Sequence, residues 1–149
     1  MITIIAVGNV KEKYLKDCYT DYIKRLSKYT KLELIVLEDS PIDSKSLKVE
    51  SDNILKRINT KSYIITLEID GGQLTSVEFS NVINKNIDKY TNITFIIGGS
   101  NGLDDSIKQL SNYKLSFSKL TFPHQLFRLI LLEQIYRSFK ILNNESYHK

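Results

Sequence analysis

Short apolar runs alternate with helically spaced segments along the whole chain, and this alternation restricts the fold more than any other feature. Residues 2–7, Ile2-Thr3-Ile4-Ile5-Ala6-Val7, suit a strand buried on both faces. Leu15, Cys18, Tyr19, Tyr22, Ile23 and Leu26 then follow the i, i+3, i+4, i+7 spacing of one helix face. The pattern repeats. Strand-like runs fall at 32–37, 63–69, 93–97 and 114–117. Helical patterns fall at 47–58, at 79–90, in a short segment ending near Leu110, and over about 123–142. A polar loop with Pro41 spans 39–46, and Asp70-Gly71-Gly72 is expected to close the third strand as a turn. Thr75-x-x-Glu78 resembles a capping box, and Pro123 suits a first helical turn capped by Thr121. Strands alternating with helices predict an α/β fold with a mostly parallel sheet and helices on both faces. No linker or composition break divides residues 1–149, so one domain is expected.

The last helical segment has almost no polar face: Leu126, Phe127, Leu129, Ile130, Leu131, Leu132, Ile135, Tyr136, Phe139, Ile141 and Leu142 surround it. A helix apolar nearly all round is covered on two sides. In a chain of 149 residues the second cover is expected to be another subunit, giving a homodimer through this helix. Glu133 is the only acidic residue between Ser106 and Asn144. Arg137 stands four residues on, the spacing of a helical ion pair, so Glu133 is read as a structural partner of Arg137.

The net charge of +4 is uneven. From Ser106 onward seven basic residues face two acidic ones, a net +5, which leaves the first 105 residues at −1. A basic C-terminal third points to a polyanionic partner, nucleic acid first. Cys18 is the single cysteine, so no internal disulfide and no Cys-rich zinc site can form, and His124 and His148 are the only histidines. No metal is expected. No apolar stretch approaches the ~20 residues of a membrane span. The opening run lacks the basic start of a signal peptide, so a cytoplasmic location without membrane contact is expected.

Two loops could carry chemistry. Gly98-Gly99-Ser100-Asn101-Gly102 follows a strand and precedes a helix, but its spacing is neither the dinucleotide fingerprint nor a P-loop. Phe117-Ser118-Lys119-Leu120-Thr121-Phe122-Pro123-His124 again runs from strand to helix. In an α/β sheet, ligands sit beyond the carboxyl ends of strands, so the two loops can form one pocket. His124, near a helix N-terminus, is read as structural. The tail, Asn143-Asn144-Glu145-Ser146-Tyr147-His148-Lys149, should fray by position. Its Tyr, His and Lys are nonetheless the side chains that an RNA-modifying site would use.

Ala6-Val7-Gly8, Ile97-Gly98-Gly99-Ser100-Asn101-Gly102-Leu103, Leu115-Ser116-Phe117-Ser118-Lys119, Thr121-Phe122-Pro123-His124-Gln125, Leu132-Glu133-Gln134-Ile135-Tyr136-Arg137 and the terminal Tyr147-His148-Lys149 together resemble the RlmH family. These are bacterial 23S rRNA pseudouridine N3-methyltransferases, small members of the SPOUT superfamily. The resemblance spans the chain. Lys149 departs from the Arg with which many relatives end, keeping charge but losing a bidentate grip. The resemblance implies a SPOUT-type sheet with a C-terminal trefoil knot. It implies S-adenosyl-L-methionine as cofactor, held at Leu67, Gly98, Phe117, Ser118, Lys119, Leu120, Thr121 and Phe122. It implies methyl transfer to N3 of a pseudouridine (1915 in the family's naming) on the ribosome. It implies a homodimer in which one subunit's tail approaches the other's cofactor. His148 is then the candidate base, or the group that orients the base. Tyr147 holds the nucleotide, and Arg137 and Lys149 hold phosphates. A ribosome-binding factor without turnover would need neither the glycine loop nor the Tyr-His tail. A nucleotide- or flavin-binding protein would not need the basic C-terminal third.

Overall fold

The computed structural model describes residues 1–41 and 43–149. Ten elements alternate: β1 (Ile2–Val7), α1 (Lys13–Leu26), β2 (Leu32–Leu37), α2 (Ser44–Leu55), β3 (Ser62–Gln73), α3 (Ser76–Ile87), β4 (Asn92–Ile97), α4 (Asp105–Leu110), β5 (Tyr113–Ser116) and α5 (His124–Leu142). The five strands form one sheet in the order β2-β1-β4-β3-β5, and every neighbouring pair is parallel. The expected α/β architecture is present.

The helix faces follow from crossover handedness. Connections β1→β2 and β3→β4 run one way across the sheet, and β2→β3 and β4→β5 run the other. A single right-handed rule then puts α1 and α3 on one face and α2 and α4 on the other. Packing agrees: α1 and α3 both contact α5, whereas α2 contacts α4. Side-chain alternation splits the core accordingly. Ile2, Ile4 and Ala6 of β1 and Ile93, Phe95 and Ile97 of β4 pack towards α1, α3 and α5. Ile5, Val7 and Ile96 pack with Ile54 of α2 and Ile107 of α4. All six residues of β1 and all six of β4 are buried, the reason both read as mainly apolar runs without a charge.

Four local expectations are corrected. Asp70-Gly71-Gly72 does not end β3, which continues to Gln73. Its pairing with β5 jumps instead, with Leu67 and Gly72 both opposite Leu115, so 68–71 bulge out. Gly71 is needed for close approach, because a Cβ there would lie 2.7 Å from the Lys114 carbonyl oxygen. The 39–46 loop is shorter than expected: Asp43 caps α2 by accepting from the Ser46 N–H at 2.7 Å, and Ile42 lies outside the described residues. The same helix stops at Leu55, so Ile58 packs on the core from beyond it. Thr121 does not cap α5. Pro123 occupies the N-cap without a side-chain bond, which leaves Thr121 outside the first turn. The Thr75–Glu78 capping box forms as expected, with bonds of 3.2 and 2.7 Å.

Candidate functional site

Beyond the carboxyl ends of β3, β4 and β5 the chain forms a cavity of about 410 Å³ that opens to solvent. Three loops and one helix start build it: the β3 bulge, the glycine loop, the segment after β5, and His124 and Phe127 of α5. The glycine loop doubles back sharply. The Gly102 N–H donates to the Gly99 carbonyl at 3.0 Å, and Gly102 takes φ +73°. A Cβ on Gly98 would sit 2.5 Å from the Gly102 carbonyl oxygen, so backbone presses on backbone and only glycine fits. From behind, Asn101 donates to Glu50 of α2 and to the Pro41 carbonyl, both at 3.3 Å. After β5, the Ser118 hydroxyl accepts from the Leu120 N–H at 3.0 Å and turns the chain inward. The Phe127 ring meets Phe117 edge-on at 5.1 Å and stacks near-parallel on Phe122 at 6.2 Å. The walls are mainly apolar, with the carboxylates of Glu68 and Asp70 and the ammonium of Lys108 at the lining.

Seven of the eight expected binding residues line this cavity: Leu67, Gly98, Phe117, Ser118, Leu120, Thr121 and Phe122. Lys119 does not; it is exposed, and its neighbour Leu120 reaches the cavity only at the rim, with 71% of its surface exposed. Phe117 lies just past β5 and joins the loop. His124 also lines the cavity, a position that its reading as a structural residue did not anticipate.

The tail is not frayed. Asn144 takes φ +53° and turns the chain back. Glu145 then accepts from the Tyr29 hydroxyl at 2.8 Å and pairs with Lys140. These bonds hold the Glu145 carboxyl below its ordinary range, Lys140 being the larger cause, and raise Lys140 and Tyr29. Further on, the tail residues gather round Glu133. Arg137 Nε and Nη2 donate to Glu133 Oε1 at 3.0 and 2.7 Å, and the Tyr147 hydroxyl donates to the same oxygen at 3.1 Å. Arg137 Nη1 lies 3.2 Å from His148 Nδ1, and its guanidinium covers the Tyr147 ring at 4.8 Å. Burial pushes the Tyr147 phenol up, with the Tyr22 hydroxyl and the Glu133 carboxylate adding to the rise. The expected trio Arg137, Tyr147 and His148 is therefore one cluster, while Lys149 is exposed.

The cluster and the cavity stand apart. His124 and Phe127 at the cavity precede Arg137 by thirteen and ten residues of one continuous helix. At ~1.5 Å per residue that is about 15–20 Å. No residue after Phe127 lines the cavity. One face of α5 keeps apolar surface: Leu126 at the cavity end is 41% exposed, and Ile130, between cavity and cluster, and Ile141, beyond the cluster, are half-buried.

Sequence reasoning missed three contributors. Glu133 is the hub of the cluster rather than only an ion-pair partner. Its isolation in an apolar helix was the available signal. Tyr29 comes from the turn after α1 and carries no local signal. Arg128, fully buried in α5, donates to the Gly8 carbonyl. Among the described residues, no helix is long and apolar enough to cross a membrane, and no group of three or more His, Cys, Asp or Glu could hold a metal.

The family model described as "Predicted SPOUT methyltransferase" matches residues 1–148. A relative from Clostridium tetani, named ribosomal RNA large subunit methyltransferase H, is 52% identical over 99% of each chain. One of the same name from Caldicellulosiruptor saccharolyticus is 46% identical over all of both chains. Among solved structures, a tRNA (m1G37) methyltransferase from Aquifex aeolicus matches 91% of this chain and 69% of its own, with a TM-score of 0.56 at 15% identity. A Haemophilus influenzae "probable methylase family protein" matches 99% and 70%, with a TM-score of 0.58 at 13% identity. These two structures show likeness of fold.

Proposed function

The chain belongs to the SPOUT methyltransferase family, and from that premise we propose that it methylates large-subunit ribosomal RNA, at N3 of a pseudouridine, with S-adenosyl-L-methionine as donor. Relatives of about half identity over the full length carry the large-subunit rRNA name, which supports the substrate class. The cavity suits the donor. Its volume of about 410 Å³ lies within the usual range for small-molecule sites. The glycine loop offers bare backbone, Phe117 and Phe122 offer ring faces, and Glu68 and Asp70 offer negative charge to a cationic ligand. Leu67, Gly98 and the lining residues of 117–122 would hold it. When bound, the donor supplies an electrophilic methyl carbon on a sulfonium.

The rest of the work falls to the chain's own residues. Methyl transfer to an imide nitrogen needs the nitrogen deprotonated and held in line, and positioning can supply up to ~7–11 kcal/mol of the barrier. Arg137, Tyr147 and His148 are the groups for holding the nucleotide, with Lys149 beside them for phosphate. Arg137 stands about 15–20 Å along α5 from the cavity residues His124 and Phe127. That separation is the observation that carries the mechanism: in this chain the tail folds back on Glu133 and Arg137, and no tail residue lines the cavity. A homodimer through the remaining apolar face of α5 would bring one subunit's tail to the other's cavity. The trefoil knot that the family resemblance implies belongs to the same reading, within one 1–149 domain. Ribosomes as substrate imply action in the cytoplasm. No step calls for a metal.

The test uses tritiated S-adenosyl-L-methionine and ribosomes lacking the modification, with the full chain and a chain cut after Glu145. Label in large-subunit rRNA that vanishes on truncation is the expected result. Label confined to other RNA would overturn the substrate. Neither label nor donor binding would leave a ribosome-binding factor without turnover.

A further inference from the structure

The chemistry of Arg137 limits what His148 can be. A guanidinium carries donors only. With Nη1 at 3.2 Å from His148 Nδ1, Nδ1 must accept, and the ring proton of the neutral imidazole sits on Nε2. The other two nitrogens of Arg137 are committed to Glu133 Oε1. Glu133 is fixed in turn: Gln134 donates to its Oε2 at 2.7 Å, and the Ser76 hydroxyl of α3 donates to Gln134 at 2.7 Å. The Arg137 and Glu133 side chains are only 24% and 20% exposed, against 48% and 50% in the solvated Arg25–Asp21 pair. A shielded, charge-assisted pair of this kind keeps its geometry better than an exposed one.

We propose that Glu133 is a positioning residue that acts through Arg137 to fix His148 as the Nε2–H tautomer, so that His148 donates a hydrogen bond to the target base instead of taking its proton. This rests on the reading above that the tail meets a uracil-type ring. There N3–H lies between two carbonyl groups. As the N3 proton leaves to a water molecule or hydroxide, negative charge spreads onto those oxygens. The N3 electron pair then forms the bond to the methyl carbon, and the pair of the breaking carbon–sulfur bond stays on sulfur. An N–H held at one carbonyl oxygen stabilises the charge while it develops, as oxyanion donors do.

Glutamine separates donor from base, because its amide donates but does not take up a proton at neutral pH. In single-turnover methylation, His148→Ala should lose about 10²–10³ in rate, the usual effect of deleting such a donor. His148→Gln should stay within about tenfold of wild type. His148→Gln falling to the alanine level would overturn the donor role. Histidine side-chain ¹⁵N spectra of the free protein give a readout independent of turnover, with His148→Ala assigning the signals. The wild type should show unprotonated Nδ1 and protonated Nε2. Glu133→Ala and Arg137→Met should each shift that tautomer balance and slow methylation while donor binding holds. A protonated Nδ1 in the wild type, or a balance that neither variant moves, would overturn the positioning role. If the wild type labels no ribosomal RNA although the spectra follow expectation, the proposed function fails and the tautomer assignment stands.

Discussion

Arg128 donates from Nη2 to the carbonyl oxygen of Gly8 at 2.9 Å, tying the first turns of α5 to the end of β1 across 120 residues of chain. Arg128 is fully buried, and its Nε and Nη1 have no partner among the described residues. Tyr19 presents its ring 5.8 Å from the guanidinium, and burial pulls the Arg128 pKa down. Burying a cation with so few partners costs free energy, whereas its volume fills the space between α1, β1 and α5. Arg128→Met keeps volume and removes the charge, so it should unfold in urea within about 1 kcal/mol of wild type. Arg128→Ala leaves a cavity and should lose about 2–4 kcal/mol. Equal losses for the two variants would show that the charge, and not the volume, is what matters.

Gly98 and Gly72 make a matched pair for the cavity. A Cβ on Gly98 meets the Gly102 carbonyl oxygen at 2.5 Å, which is backbone and cannot step aside. A Cβ on Gly72 meets the Tyr113 hydroxyl at 2.8 Å, the end of a side chain that can rotate away. Gly98→Ala should therefore weaken S-adenosyl-L-methionine binding by at least about tenfold, equivalent to ~1.4 kcal/mol, by opening the loop. Gly72→Ala should bind nearly as wild type. Calorimetric titration of both reads this directly, and normal binding by Gly98→Ala would remove the glycine loop from the site.

The tail latch has a definite acid limit. Glu145 is held below the ordinary carboxylate range by Lys140 first and Tyr29 second. A depressed folded pKa contributes stability that is present above the unfolded value, ~4.3 for Glu, and is lost as pH falls through the folded value. Tail order should thus be flat from pH 7 to about 5 and decline below about 4. Carboxypeptidase is a poor probe in acid, so backbone amide signals of 146–149 are the measurement. Glu145→Gln should show a loosened tail already at pH 7. An unchanged tail in that variant would mean that the Glu133 cluster alone holds it.

The sheet and its helices are legible in the sequence because burial on both faces leaves mainly apolar runs without a charged residue, as in Ile2–Val7. The end of β3 is not legible. A turn and a close backbone approach ask for the same residue, and Gly71 serves the second. Arg128 is hidden for a related reason: a cation within a helical pattern reads as solvated, and only packing reveals it as buried. Glu133 was half legible. Its spacing to Arg137 predicts the ion pair, but Tyr147 and His148 reach it only because Asn144 adopts a left-handed conformation. The cavity was legible as two loops. Its third wall, the β3 bulge, depends on a register jump between β3 and β5 that no single strand encodes.

Cavity and tail cluster occupy separate places on one chain, and this makes the proposed dimer, with its composite sites, measurable in solution. Gly98→Ala damages the cavity and leaves the tail intact; His148→Ala does the reverse. Each homodimer should methylate poorly. If sites are composite, a mixed dimer pairs the intact cavity of one chain with the intact tail of the other and restores one of its two sites. With free exchange of subunits half the dimers are mixed, so an equimolar mixture should recover about a quarter of wild-type activity in a two-fold symmetric dimer. If each chain instead uses its own tail, every site in the mixture keeps one defect and activity stays at the level of the single variants. Reversible denaturation and refolding of the two chains together ensures exchange. Leu126→Glu with Ile130→Glu, placed on the exposed apolar face of α5, provides the complementary control. It should yield monomers by sedimentation that still bind the donor but no longer methylate.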